Sequence, residues 1–325
     1  MTKHKFIAFA GLLLATLCPA VVAQKSPVEL QSQVTTPFRF IAYGDTRFTD
    51  PKDIEASNSE VRKALVGAIA DARPAFICIG GDISYKGYDA NDWKIFDAET
   101  TVWRERKISV YPVLGNHDLR GDEKTALGNY FQRFPDLQNS RYYSVRVANI
   151  LILALDTSLD ETSGPQGDWL NRKLDALPPD VDFVFLLMHH PPYTSSSDMR
   201  MFSGGHSART PEQRLAKMLE GRQPKMHARM VVFASHVHNY ERHEHGGVTY
   251  FVTGGGGAHA YPIERAKGDA FQSKEINYHY LLVEVDRAQV TITMNRLERS
   301  GGKEVWTQPD SIKIMTPAVA KAAAK

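Results

Sequence analysis

Ala75-Phe76-Ile77-Cys78-Ile79-Gly80-Gly81-Asp82-Ile83-Ser84-Tyr85 is an apolar, β-branched run that stops on two glycines and an acid. The run reads as a buried strand, and its glycines let the backbone turn sharply and come close to a bound ion. The same pattern recurs four more times. Phe38–Tyr43 leads into Gly44-Asp45, Ile108–Leu114 into Gly115-Asn116-His117-Asp118, Val181–Met188 into His189-His190-Pro191, and Met230–Ala234 into Ser235-His236-Val237-His238. In an α/β sheet the carboxyl ends of the strands line the ligand crevice, so five clusters far apart in sequence can converge on one edge. Carboxylate, phenol, amide and imidazole together make a mixed hard and borderline donor set, which suits two adjacent metal ions better than one.

Between these clusters the chain alternates strand with helix. Asn58 to Ala72 has helical apolar spacing at Val61, Leu65, Ala68 and Ile69, with Pro74 marking its end. Asp168 to Leu177 is expected to form a second, short helix stopped by Pro178-Pro179. Arg141–Asp156 and Tyr278–Arg296 read as hairpins turning near Ala148-Asn149 and Asp286-Arg287. Gly254 to Gly257 lacks a following Gly-Lys-Ser/Thr, so it reads as a turn beside the metal site rather than a phosphate cradle.

The order of the five clusters resembles that of the calcineurin-like metallophosphoesterases, and Tyr85 in Gly-Asp-x-x-Tyr resembles their purple acid phosphatase-like branch. Ser235-His236-Val237-His238-Asn239-Tyr240-Glu241-Arg242 and Tyr250-Phe251-Val252-Thr253 with its four glycines are similar to that branch too, so the likeness runs over nearly the whole chain. The resemblance implies an α/β fold, a two-sheet β-sandwich flanked by helices in four layers. It implies that Asp45, Asp82, Tyr85 and His238 hold a first metal, that Asp82 also bridges, and that Asn116, His189 and His236 complete a second site. It further implies two metal ions, Fe(III) at the Tyr85 site and a divalent ion (Zn, Fe or Mn) at the other. Their charge outweighs that of Asp45, Asp82 and a Tyr85 phenolate, which leaves a positive site for an anionic ester. Such a pair clamps phosphoryl oxygens and lowers the pKa of bound water to about 7. The activity implied is phosphomonoester hydrolysis by a metal-bound hydroxide, with a phosphodiesterase or a non-catalytic metal- or phosphate-binding relative as alternatives.

Two positions depart from the family pattern. Where relatives carry Asp-x-Gly or Asp-x-His, this chain reads Asp45-Thr46-Arg47. A guanidinium does not ligate metal, so Arg47 either contacts phosphate bidentately or forms a structural ion pair. Ser235 stands where Gly is usual, leaving close backbone approach open. His117 resembles a substrate-contacting histidine, with Asp118 expected to fix its orientation. His206, in a loop, either faces substrate as a catalytic or binding group or is simply exposed. His190 is expected to point away from its ligating neighbour if strand alternation persists. His227, His243, His245, His259 and His279 read as surface or hydrogen-bonded structural residues.

At the amino terminus Lys3 and Lys5 precede an apolar stretch from Phe6 to Leu17, and Val21-Val22-Ala23 is a small-residue processing site. Residues 1–23 thus read as a secretory signal rather than a membrane anchor, and the location expected is exported, periplasmic or secreted. Residues 24–37 read as a linker, 38–315 as one catalytic domain and 316–325 as a mobile tail. Loss of the two leader lysines takes the formal charge of +2 to about zero, so nothing predicts a nucleic-acid partner, and a small phosphate ester is the expected ligand. Only Cys78 would remain after processing, which excludes an intrachain disulfide.

Overall fold

Successive side chains of a strand point to opposite faces, so a strand buried on both sides feeds two separate cores. In the strand Phe183–Leu187, Phe183, Phe185 and Leu187 enter one apolar cluster, while Val184 and Leu186 enter another. The strand Arg229–Ala234 divides the same way, Val231 and Phe233 against Met230, Val232 and Ala234. This double burial is why both segments read as unbroken apolar runs.

The computed structural model describes residues 27–197, 206–300 and 303–317. The leader expected over 1–23 and most of the tail expected over 316–325 lie outside the described residues. The first half of the chain gives β1 (Glu29–Ser32), β2 (Phe38–Tyr43), α1 (Ser59–Asp71), β3 (Phe76–Ile79), α2 (Ala90–Glu99), α3 (Thr101–Glu105), β4 (Ser109–Pro112), α4 (Glu123–Arg133), β5 (Tyr143–Val147) and β6 (Ile150–Ala154). There follow α5 (Gly164–Asp175), β7 (Phe183–Leu187), α6 (Thr210–Arg222), β8 (Arg229–Ala234), β9 (Tyr240–His245), β10 (Val248–Thr253), β11 (Tyr278–Asp286), β12 (Gln289–Ser300), β13 (Lys303–Thr307) and β14 (Ser311–Met315).

These strands form two mixed sheets of seven. One has the order β1-β5-β6-β7-β8-β10-β9; the other runs β13-β12-β11-β2-β3-β4, with β14 also paired to β12. The stretch read as a linker therefore carries β1, which pairs parallel with β5. Both expected hairpins form, β5 with β6 and β11 with β12. Helix α1 starts where expected, Asn58 Oδ1 accepting the Val61 amide at 3.2 Å.

The sheets meet across aromatic rings. Phe40 of β2 stacks on Phe76 of β3 (centroids 4.8 Å apart) and touches Phe185 of β7 (5.5 Å) and Phe233 of β8 (6.2 Å) from the facing sheet. Phe233 continues to Phe251 of β10 at 5.6 Å. The consequence for function is placement. Adjacent parallel strands β2, β3 and β4 of one sheet, and β7 and β8 of the other, carry the five clusters at their carboxyl ends.

Phe40 is completely buried at this seam, so Phe40→Ala is expected to cost about 3–5 kcal/mol of stability. Urea unfolding of the metal-free protein measures it. A loss below about 1 kcal/mol would show that the sheets are not held at this ring.

Candidate metal centre

The loops that carry the clusters are strained and paired. Asp45 (φ 56°), Arg47 (φ 45°), Asp82 (φ 51°) and His236 (φ 70°) all adopt the left-handed region that side chains disfavour. Such conformations persist only where their surroundings over-determine them. Beyond the ends of β2 and β3 the two loops run on side by side, with Asp45 N–H donating to Gly81 O (3.0 Å), Arg47 N–H to Asp82 O (2.9 Å) and Phe48 N–H to Ile83 O (2.7 Å). Arg62, completely buried on α1, reaches beneath them. It grips Glu99 through Nε and Nη2 (2.8 Å each) and donates to Arg47 O (3.2 Å) and Thr49 O (3.2 Å).

Ser235 fits because two neighbours lack side chains. A Cβ on Gly44 or Gly80 would lie 2.2 or 2.1 Å from the Ser235 hydroxyl. The turn after β10 packs against the Asp45 loop as expected, since a Cβ on Gly254 would stand 2.6 Å from Asp45 Oδ2.

Two groups of donor atoms face each other across this seam. His189 Nδ1 lies 2.8 Å from Gly80 O. A carbonyl only accepts, so Nδ1 carries the proton and Nε2 presents a lone pair. That Nε2 is 3.0 Å from Asn116 Oδ1, 3.1 Å from His236 Nδ1 and 3.4 Å from Asp82 Oδ1. Ligands bonded tetrahedrally to a metal at 2.0–2.1 Å sit roughly 3.3 Å from one another, so the spacing suits a shared cation. In the second group His238 Nδ1 donates to His259 O (2.8 Å), which leaves Nε2 facing Asp45 Oδ1 at 3.7 Å. Among the described residues both of those atoms are buried without a hydrogen-bond partner. Asp82 stands between the groups, its Oδ1 accepting the His117 amide (2.8 Å) and its Oδ2 the Arg47 guanidinium (3.2 Å). The residues fit a two-metal site of His and Asp.

Electrostatics agree. Burial and the neighbouring Asp82 charge push the Asp45 carboxyl well above its ordinary value, while His189, His117 and Arg47 hold Asp82 below its own despite burial. Burial holds the imidazoles of His189, His236 and His238 below their ordinary range, in the neutral form that binds metal.

His190 turns toward the centre. Strand β7 ends at Leu187, so alternation no longer applies, and Thr157 Oγ1 holds His190 Nδ1 at 2.7 Å. Its ring lies 4.1 Å from that of His236, and one nitrogen each from His189, His190 and His236 fall within 4.8 Å of one another. The expectation that His190 points away is therefore corrected.

Asp118 does not orient His117. Its Oδ1 accepts the amides of Ile83 (2.9 Å) and Ser84 (3.0 Å) and its Oδ2 that of Gly115 (2.9 Å), so it ties two metal-bearing loops together. His117 is oriented instead by Nδ1 donating to Tyr85 O (2.9 Å), which leaves Nε2 3.8 Å from Asp82 Oδ2. Burial brings the His117 pKa down to about 4 despite the attraction of Asp82. Tyr85 places its ring 5.2 Å from that of His117. His206 lies over His236 with centroids 4.2 Å apart.

Arg47, Asn116, His117, His206 and His238 line a cavity of about 340 Å³ together with Arg120, His259 and Tyr261. The last three carry no motif signal, because each arrives from a loop whose position depends on the whole fold. Among the other histidines, His279 is buried and bonded to Thr253 Oγ1 (3.1 Å), and His243 lies between Glu241 (3.3 Å) and Asp269 (3.6 Å). Both fill the structural role expected of them. A larger cavity, about 510 Å³ between β1, α3 and β4, gathers no group of three ligating side chains among the described residues.

The sequence profile described as calcineurin-like phosphoesterase matches residues 38–240. No curated protein matches the chain. A purple acid phosphatase from yellow lupin (Lupinus luteus) seeds superposes with TM-score 0.65 at 16% identity, over 86% of this chain and 54% of that one. The chain thus spans about half the length of the lupin protein. GAP50, the anchor in the inner membrane complex of Plasmodium, gives 0.60 at 16% identity over 88% of this chain and 94% of its own. A dimetal phosphatase from Danio rerio gives 0.55 at 12% identity over 86% and 99%. At these identities the likeness speaks for the fold alone.

Removing the Asp118 carboxylate strands three backbone amides, so Asp118→Ala is expected to destabilise the metal-free protein by about 2–4 kcal/mol. Denaturant unfolding checks this. Unchanged stability would mean that the carboxylate is not the tie between the loops.

Proposed function

This chain belongs to the calcineurin-like phosphoesterase family, and from that premise we propose that it is an exported, acid phosphatase-like enzyme that hydrolyses phosphomonoesters at a two-metal centre. The observation that carries the reading is the convergence, from the ends of five strands in two sheets, of lone pairs on Asp45, Asp82, Asn116, His189, His236 and His238. Asp45, Asp82, Tyr85 and His238 would hold Fe(III), and Asp82, Asn116, His189 and His236 a divalent ion such as Zn, Fe or Mn. When bound, such ions polarise the phosphoryl oxygens and make water a nucleophile near neutral pH.

The remaining work falls to the chain. With Nδ1–H held on Tyr85 O, His117 Nε2 is the atom able to take up and return a proton beside the ester. His206 closes the opposite side over His236, and Arg47 offers its guanidinium to the phosphoryl oxygens from the cavity wall. The leader pattern at Lys3, Lys5 and Val21-Val22-Ala23 supports export to the periplasm or beyond. No helix among the described residues is long and apolar enough to cross a membrane.

The ion pair between Arg47 and Asp82 Oδ2 (3.2 Å) favours a second reading, a relative that keeps the fold and the cavity without turnover. Protein purified without added metal separates the two. The hydrolase reading expects close to two metal ions per chain, hydrolysis of phenyl phosphate that stops on chelation, and a slower rate on a phosphodiester. It also expects visible absorption that disappears in Tyr85→Phe. Asp82→Ala should lower kcat on the order of a hundredfold or more, above the loss that outer partners of metal ligands cause. Metal bound at full stoichiometry with no hydrolysis would establish the second reading instead.

A further inference from the structure

On the His117 side of the cavity the chain places a guanidinium with no ion-pair partner among the described residues. Arg120 is exposed at the rim, and its guanidinium lies 5.1 Å over the Tyr85 ring. Lys86 Nζ lies 5.3 Å over the same ring. Neither side chain has a carboxylate partner within ion-pair distance among the described residues. Arg106, Arg133, Arg141, Arg146 and Arg222, by contrast, are each paired with an Asp or Glu at 2.5–3.1 Å. Among the described residues no acid lines the cavity. A guanidinium at the rim without a carboxylate partner attracts an anion.

Arg120 shares the cavity with Asn116 and His238 and lies on the Tyr85 ring, but it stands off from Asp82. His117 stands between, with Nε2 3.8 Å from Asp82 Oδ2 and its ring 5.2 Å from that of Tyr85. An oxyanion at Arg120 is thus a different group from the phosphoryl held beside Asp82. The cavity of about 340 Å³ is at the small end for ligand sites, room enough for a compact ester. A guanidinium with both edges free takes a carboxylate or phosphoryl group in a bidentate fork.

We infer that Arg120 determines specificity by binding a second oxyanion of the substrate. The preferred ester then carries a carboxylate or another phosphoryl group besides the phosphate being cleaved. This rests on the hydrolase reading for the cleaved bond, but not for the anion site.

The test compares phenyl phosphate, 4-carboxyphenyl phosphate and 1,4-phenylene bisphosphate on the metal-loaded full chain. At least one doubly anionic ester should exceed phenyl phosphate about tenfold in kcat/KM, mainly through KM. The better of the two identifies the second group. In Arg120→Ala the ratio should fall to within about twofold with metal content unchanged, Arg120→Lys should keep part of it, and added salt should erode it. Equal kcat/KM for the three esters in the wild type, or a preference that survives in Arg120→Ala, overturns the proposal. Should no ester be hydrolysed, calorimetry with phenylphosphonate, 4-carboxyphenylphosphonate and 1,4-phenylenebisphosphonate decides the same question. A binding preference lost in Arg120→Ala upholds the anion site while the hydrolase reading falls, and no preference overturns the site.

Discussion

Two carboxylates, Asp45 and Asp82, are completely buried within reach of one another, of His189 and of other imidazoles that burial keeps neutral. Buried charge of one sign is costly unless opposite charge answers it. Arg47 supplies part of that answer through Asp82 Oδ2. Among the described residues Asp45 Oδ1 and His238 Nε2 have no hydrogen-bond partner. The arrangement fits cations, and the rest of the structure holds it in place.

That service has a visible cost in the backbone. Four non-glycine residues in the left-handed region cluster here because the side chains must leave their strands at angles that regular geometry does not offer. The compensation comes from groups that touch no substrate. Asp118 accepts three amides, Arg62 braces the Arg47 loop on Glu99, and Gly44 and Gly80 admit Ser235. Below them the ring contacts from Phe40 to Phe251 fix one sheet against the other, and with them the distance between the two donor groups.

The sequence makes legible what is local. The strands that feed the site stand out because they are largely apolar, β3 and β7 buried along their whole length, and both hairpin turns carry their own residues. Strand β9, Tyr240-Glu241-Arg242-His243-Glu244-His245, does not read as a strand, since it lies at a sheet edge and its charges are answered by side chains from elsewhere, Asp310 on Arg242 among them. At the site, the clusters announce the ligand candidates, whereas His190 defeats a periodic argument because its strand ends three residues earlier. Asp118 looked like a partner of its neighbour and instead serves amides more than thirty positions away. Arg62, Arg120 and Tyr261 have no signature at all, because only the fold brings them to the cavity and its supporting loops.

The central claim is that strand ends from two sheets assemble one centre for two metal ions around Asp82. Anomalous diffraction from crystals of metal-loaded protein tests it most directly. Two peaks roughly 3.5–4 Å apart are predicted, one against Asp45 and His238, the other against Asn116, His189 and His236, with the Asp82 carboxylate touching both. A single peak, or two peaks neither of which lies at Asp82, would contradict it.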